Sequence, residues 1–321
     1  MSGTSPGQPP SPSDAPRPGA PTLCVGEPLV DLVCERPLGD APAGDAFVPH
    51  LGGAVANVSV IAARLGAHVA LAGGAADDDW GRWLRDRLRR EGIDLSLFEL
   101  APEAQTPIEL VTVGPDGGPR YELYGDSVVT ALAALDARMD EAVQNSAALF
   151  FGSGTLVGAE QREITMRARE LALSLGRPVV FDPTVLRHRW RSRAEAAAVA
   201  NACVPDALLV RAGAGDAELM TGEEDPERAS LALLKAGARM VVITLGVEGA
   251  ILRGELRLDV EGDDDGAPRG VLSAIGAGEV LTGILLARLA ASAYYPAAVA
   301  ASLPEAVAQA TRACERWGAL E

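Results

Sequence analysis

A chain of 321 residues with 44 acidic and 28 basic side chains, a formal net charge of −16, has length for one large α/β domain or two smaller ones. That balance excludes nucleic acid and anionic membrane surfaces as expected partners, because both are bound through clustered Lys and Arg. No apolar run reaches the ~18–20 residues that cross a bilayer, and Cys24, Cys34, Cys203 and Cys314 are too scattered for a zinc site or a disulfide framework, so the expected compartment is a reducing cytoplasm.

Residues 1–21 are crowded with Pro, Ser and Gly and lack the basic and apolar regions of a signal peptide, which predicts a disordered tail. A strand-like run over 23–33 is interrupted by Gly26-Glu27-Pro28 and should end near Asp31, an acid placed at the strand's mouth or paired. A short strand over 47–51 leads into Gly52-Gly53. The helix that follows, 54–65, carries Val58, Ile61, Ala62 and Leu65 on one stripe, with Asn57 on its first turn. After a strand over 68–72, Asp77, Asp78 and Asp79 cap a helix whose core face is Trp80, Trp83, Leu84 and Leu88; three acids at a helix start read as a cap before they read as a metal site. Two strands, 109–113 and 120–124, flank a Gly/Pro-rich turn and form a hairpin that interrupts the chain like a lid.

From 136 onward strands alternate with helices: strands over 147–151, 179–181, 207–210 and 240–245, and helices over 160–175 and 194–202 and around Glu218 and Ala229. Such alternation predicts an α/β fold on a parallel sheet buried on both faces. An antiparallel pair turning at Gly254, an acidic loop over 261–266, and closing helices over 279–291 and 304–317 complete the chain.

Two glycine stretches carry chemistry. Gly276-Ala277-Gly278-Glu279 runs from a small-residue turn into an apolar helix. The amides of Ala277, Gly278 and Glu279 would face outward at a helix N-terminus that favours an anion, with the Glu279 carboxylate beside it; an ordinary cap with a first-turn acid is the plainer alternative. Gly152-Ser153-Gly154, followed by a strand ending at Asp182, leaves open a dinucleotide-binding oxidoreductase.

Taken together, Gly26-Glu27 with Asp31, Gly52-Gly53-Ala54 with Asn57, Arg64-Leu65-Gly66, the strand 241–245 with Gly246 and Gly249, and Ser273 to Glu279 resemble the ribokinase-like (PfkB) carbohydrate kinases. The flavour is that of fructokinases and 2-keto-3-deoxygluconate kinases. The resemblance covers everything but the tail. It implies a mostly parallel sheet flanked by helices on both faces with a small β lid, its strands within about 35–50 and 107–125. It further implies that Asp31, Gly52, Gly53, Asn57, Tyr121 and Asp182 hold a small sugar or sugar acid. Arg211, Thr244, Gly246, Gly249 and Gly278 would hold ATP, Gly276, Ala277 and Gly278 the transferring phosphate, and Asp216 would assist Mg2+. Glu279 stands as the base, and lid strands would pair two subunits.

The chain departs from that pattern at several places. The family's terminal Asp is Glu279, its Asp-Thr opening is Ser273-Ala274, which weakens a monovalent-cation site, and its Lys-x-Asn-x-x-Glu reads Arg211, Gly213 and Asp216. Phosphoryl transfer is mostly positioning and charge neutralisation, so a displaced base leaves two readings beside the oxidoreductase: an active sugar kinase, or a pseudokinase that binds sugar and nucleotide.

Overall fold

The computed structural model describes residues 19–37, 47–102, 104–113, 119–125, 127–262 and 275–320. Its first strands show how local chemistry divides the chain. The run expected over 23–33 splits into β1 (Thr22–Val25) and β2 (Leu29–Pro37). The break falls at Gly26, where a Cβ would lie 2.2 Å from the Val55 side chain, and at Pro28, which has no N–H to donate to a ladder. β2 therefore does not end near Asp31. It carries Asp31 within it, between His50 of β3 (Phe47–Gly52) and Glu109 of β6 (Ile108–Val113).

β1 enters a nine-stranded sheet with β4 (Val69–Ala76), β5 (Phe98–Ala101), β8 (Ala148–Gly152), β9 (Val179–Asp182), β10 (Leu209–Gly213), β11 (Met240–Thr244), β12 (Gly249–Gly254) and β13 (Leu258–Glu261). The order is β13-β12-β11-β10-β9-β8-β1-β4-β5, with parallel pairing throughout except that β12 runs antiparallel to both β11 and β13. Alternate residues of each strand feed opposite layers. Cys24, Leu71, Phe150 and Val180 pack on α1 (Ala54–Arg64), α8 (Ala277–Ala291) and α9 (Ala297–Ala313). Leu23, Leu149, Phe151 and Phe181 pack on α3 (Ser127–Gln144), α4 (Ala159–Ser174) and α5 (Arg193–Ala202). The expected α/β class, with helices on both faces of a mostly parallel sheet, is the fold observed.

The lid is larger than the hairpin that announced it. β2, β3, β6 and β7 (Pro119–Tyr124) form a four-stranded sheet ordered β3-β2-β6-β7, with Val33, Val111 and Ile275 as its buried cluster. α9 runs through Pro304 instead of starting there. The ring removes one helical N–H, and burial of Val299, Leu303, Ala306 and Val307 keeps the helix continuous. Residues 1–18 of the tail and 263–266 of the acidic loop lie outside the described residues. Among those described, no helix is long and apolar enough to cross a membrane.

α8 is apolar on nearly every side and buried from Val280 to Ala287 and at Leu289. It lies so close to α1 that a Cβ at Gly283 would sit 2.6 Å from the Ile61 side chain. Gly283→Val should therefore force the two helices apart and cost about 1–3 kcal/mol in urea denaturation; an unchanged midpoint would mean that α8 is not pinned there.

Candidate active site

The parallel strands end on one side of the sheet, where open α/β folds place their ligands. Glu27 follows β1, Ser153 follows β8, Asp182 closes β9, Arg211 lies in β10 and Thr244 closes β11. The first turn of α8 meets them there. Its N-cap, Gly276, has φ +83°, and a Cβ on it would fall 2.3 Å from Ala319. Val280 N–H donates to Gly276 O and is the first bond inside the helix, so the preceding amides are the donors a helix start leaves without an internal partner.

That turn separates two cavities. The first, of about 70 Å3, is walled by Glu27, Asp31, Gly53, Asn57, Glu109 and Tyr121 together with Gly276 and Glu279. The second, about 200 Å3 and mostly apolar, is bounded by Arg211, Thr244, Gly246, Gly249, Ala277 and Gly278. The predicted substrate residues Asp31, Gly53, Asn57 and Tyr121 thus share one cavity with Glu279, and the predicted nucleotide residues share the other. Gly52 lies behind the wall, and a Cβ there would overlap the Asp31 carboxyl at 2.4 Å.

Carboxylates crowd the first cavity. Burial, then Glu109 and Glu279, push the Asp31 carboxyl well above its ordinary range. Burial lifts Glu109 to about 7, opposed by Arg189 and aided by Glu27 and Glu279. Tyr121 is raised by burial and by the same three acids, Glu279, Asp31 and Glu109. Glu279 is raised by burial, opposed by a hydrogen bond from its own backbone amide and by Arg211, and raised further by Asp182. Glu279 lines this cavity from the first turn of α8.

Asp182 is placed differently from the other predicted sugar contacts. Its carboxylate accepts hydrogen bonds from Thr184 Oγ1 at 2.6 Å, Thr282 Oγ1 at 2.7 Å and Arg211 Nη1 at 3.3 Å. It lies between the cavities as a tie joining β9, β10 and α8. Arg211, also bonded to Thr244 Oγ1 at 3.1 Å, packs over α8 so closely that a Cβ on Gly278 would lie 2.7 Å from Nη2. Arg211 Nε is buried without a partner. Its guanidinium and the α8 amides make one anion-favouring surface.

Asp216 accepts a hydrogen bond from Val185 N–H at 3.2 Å and is pushed up to about 6 by burial and by Asp182, with Arg211 opposing. No group of three or more His, Cys, Asp or Glu among the described residues is arranged to hold a metal. Asp216 lines neither cavity, so it is not brought to the nucleotide side as predicted; a single carboxylate is otherwise what a Mg2+ held mainly by nucleotide phosphates asks of a protein. Ser273, tied to the monovalent cation, lies outside the described residues.

Sequence reasoning missed four participants: Glu27, Glu109, Arg189 and Thr282. In the sequence Glu27 is only part of a Gly-Glu motif. The Gly152-Ser153-Gly154 stretch, weighed as a dinucleotide turn, instead receives Glu27, since a Cβ on Gly154 would fall 1.6 Å from Oε1. With that glycine serving Glu27 and Asp182 bound to Arg211 and Thr282, the features that suggested an oxidoreductase have other uses.

Solved structures share this architecture. The fructokinase of Vibrio cholerae O395, in a form with fructose, ADP and calcium ion bound, covers 94% of this chain and 95% of its own at a TM-score of 0.77 and 23% identity. The aminoimidazole riboside kinase of Salmonella enterica covers 93% of this chain and 95% of its own at 0.76 and 23%. These likenesses establish a ribokinase-like kinase fold. Fructokinase-1 of Zea mays is 29% identical over 271 residues, 83% of this chain and 82% of that protein. The chain belongs to the pfkB family of carbohydrate kinases, whose description matches residues 22–316.

A raised carboxyl has a definite signature. Between about 4.5 and about 7 the folded chain holds more protons on Glu109 than the unfolded chain does, so stability from this group is present below that window and is lost as pH rises through it. Melting temperature should fall across those pH values more steeply for the natural protein than for Glu109→Gln; parallel curves would count against a displaced Glu109.

Proposed function

We propose that this chain is an ATP-dependent sugar kinase, fructokinase-like, that moves the γ-phosphate of ATP to a hydroxyl of a small sugar. The observation that carries the reading is the shared turn. Glu279 and Gly276 face the cavity of Asp31, while the adjoining Ala277 and Gly278 face the second cavity. Two substrates seated there would meet over the bare start of α8.

Asp31 and Asn57 accept hydrogen bonds from the sugar and orient it. Glu279 takes the proton from the attacking hydroxyl as its oxygen bonds to the γ-phosphorus and the bond to ADP breaks. Ala277 and Gly278 N–H groups and the Arg211 guanidinium offset the charge on the phosphoryl oxygens. Asp216 would assist a Mg2+ carried by the nucleotide, which would supply further neutralisation of the phosphates. Burial raises the proton affinity of Glu279, which suits a base working near neutral pH. The apolar wall of Val247, Leu281 and Val307 fits a purine ring, and the fructokinase names among the relatives support a fructose-like acceptor.

Glu279→Gln should lower kcat with ATP, Mg2+ and fructose by ~10²–10⁴ while sugar and nucleotide dissociation constants stay within a few-fold. A rate that survives the change would remove Glu279 as the base, and a natural protein yielding no phosphorylated product from any sugar would remove the kinase reading.

The lid also supports a homodimer. Its edge strands are β3 and β7, and Phe47, Val48 and Tyr124 on them are exposed, an apolar edge of the kind that strand pairing covers. Analytical ultracentrifugation should give twice the chain mass, and Phe47→Glu should shift it toward the monomer; a natural protein that stays monomeric at micromolar concentration would rule the dimer out.

A further inference from the structure

The first cavity is one-sided in its chemistry. Glu27, Asp31, Glu109 and Glu279 line it, and Arg189 is the one Lys or Arg among the described residues that does. Glu27, Asp31, Asn57 and Glu109 are each more than nine-tenths buried. Each nonetheless presents an oxygen with no hydrogen-bond partner: Glu27 Oε2, Asp31 Oδ1, Asn57 Oδ1 and Glu109 Oε1. All four are acceptors. Buried acceptors left unpaired are costly, and what relieves them is a ligand rich in O–H or N–H donors.

The seats of the two unassigned acids are built. Glu27 fills the space that Gly154 leaves open, and its Oε1 accepts from Arg189 Nη1 at 3.1 Å, leaving Oε2 unpaired. Glu109 is the cross-strand neighbour of Asp31, so both side chains leave the lid sheet on the same face. His188 Nε2 approaches Glu109 Oε1 to 3.5 Å, too far for a good hydrogen bond. An anionic substituent entering this space would add to the charge crowding that already pushes Asp31 and Glu109 up, and Arg189, the one guanidinium lining the cavity among the described residues, is already engaged by Glu27.

We infer that the first cavity selects a polyol without negative charge, with Glu27 and Glu109 as specificity-determining residues that accept hydrogen bonds from its hydroxyls. The inference rests on the kinase reading for the identity of the cavity as the acceptor site, and it divides the acceptor classes the sequence had left together, sugars from sugar acids. Glu27 further acts by occupation: it holds Arg189 away from any carboxylate of the ligand.

A matched pair tests this. Fructose and 2-keto-gluconate share a skeleton and differ by a carboxylate, and both can be titrated calorimetrically into the full chain with ATP analogue and Mg2+ present. The acid should bind ~10²-fold more weakly than fructose, as like-charge juxtaposition predicts. Glu27→Gln, which removes a charge and releases Arg189, should shrink that ratio ~10-fold, and Glu109→Gln should shrink it less, consistent with the modest worth of a single displaced charge. A purely structural role would lower both affinities together and leave the ratio alone. Should Glu27→Gln fail to fold by thermal melting, Glu109→Gln decides.

Equal or tighter binding of the acid overturns the inference, as does a ratio unmoved in both variants. With ATP in place of the analogue and products assayed, phosphorylated 2-keto-gluconate in place of phosphorylated fructose overturns it and leaves the kinase reading standing. Preferential fructose binding with no phosphorylated product upholds it and overturns the kinase reading.

Discussion

The start of α8 has to remain bare, and much of the molecule is arranged around that requirement. Three close approaches hold it. Gly276 lies against Ala319, Gly278 against the Arg211 guanidinium and Gly283 against Ile61. The first fixes the turn in a left-handed conformation that a side chain would strain. The second brings a buried positive charge onto the free amides. The third lets a largely buried helix dock on α1, whose own N-cap, Gly53, lines the first cavity. A side chain at any of the three would move the helix start, and with it the wall between the two cavities.

Charge is divided across that wall. On one side stand carboxylates whose mutual repulsion and burial raise Asp31, Glu109 and Glu279 together. On the other stand helix amides and Arg211, which face the apolar cavity. Acceptors gather in the first cavity and donors beside the second, so the electrostatic gradient runs across the turn that separates them. Asp182 links the halves. It accepts from Arg211, Thr282 and Thr184, tying the cation of one side to the helix and loop of the other.

The sequence showed the fold class through alternation of apolar strands with helices, and the family through motifs whose order and spacing agree. It also placed Asp31, Asn57 and Glu279 in what turned out to be one cavity. Boundaries fared less well where tertiary packing overrides local signals. Asp31 looked like a strand end because a charged residue breaks an apolar run, yet β2 continues past it, its backbone satisfied by strands on both sides. Pro304 looked like a helix start, yet burial on the α8 side carries α9 through it.

By itself, then, the sequence determined the layered α/β architecture, the glycine-bounded helix start and the presence of an acid beside it, because these depend on local periodicity and backbone freedom. The tertiary structure alone decided which acids meet. Glu27 and Gly154 lie far apart along the chain, as do Glu109 and Glu279, and no local spacing signals their approach. Their shared burial, the engagement of Arg189 by Glu27 and the withdrawal of Asp182 into a bonded tie follow from strands that converge at one sheet edge and a lid sheet that folds over it, where low dielectric turns ordinary carboxylates into strongly coupled ones.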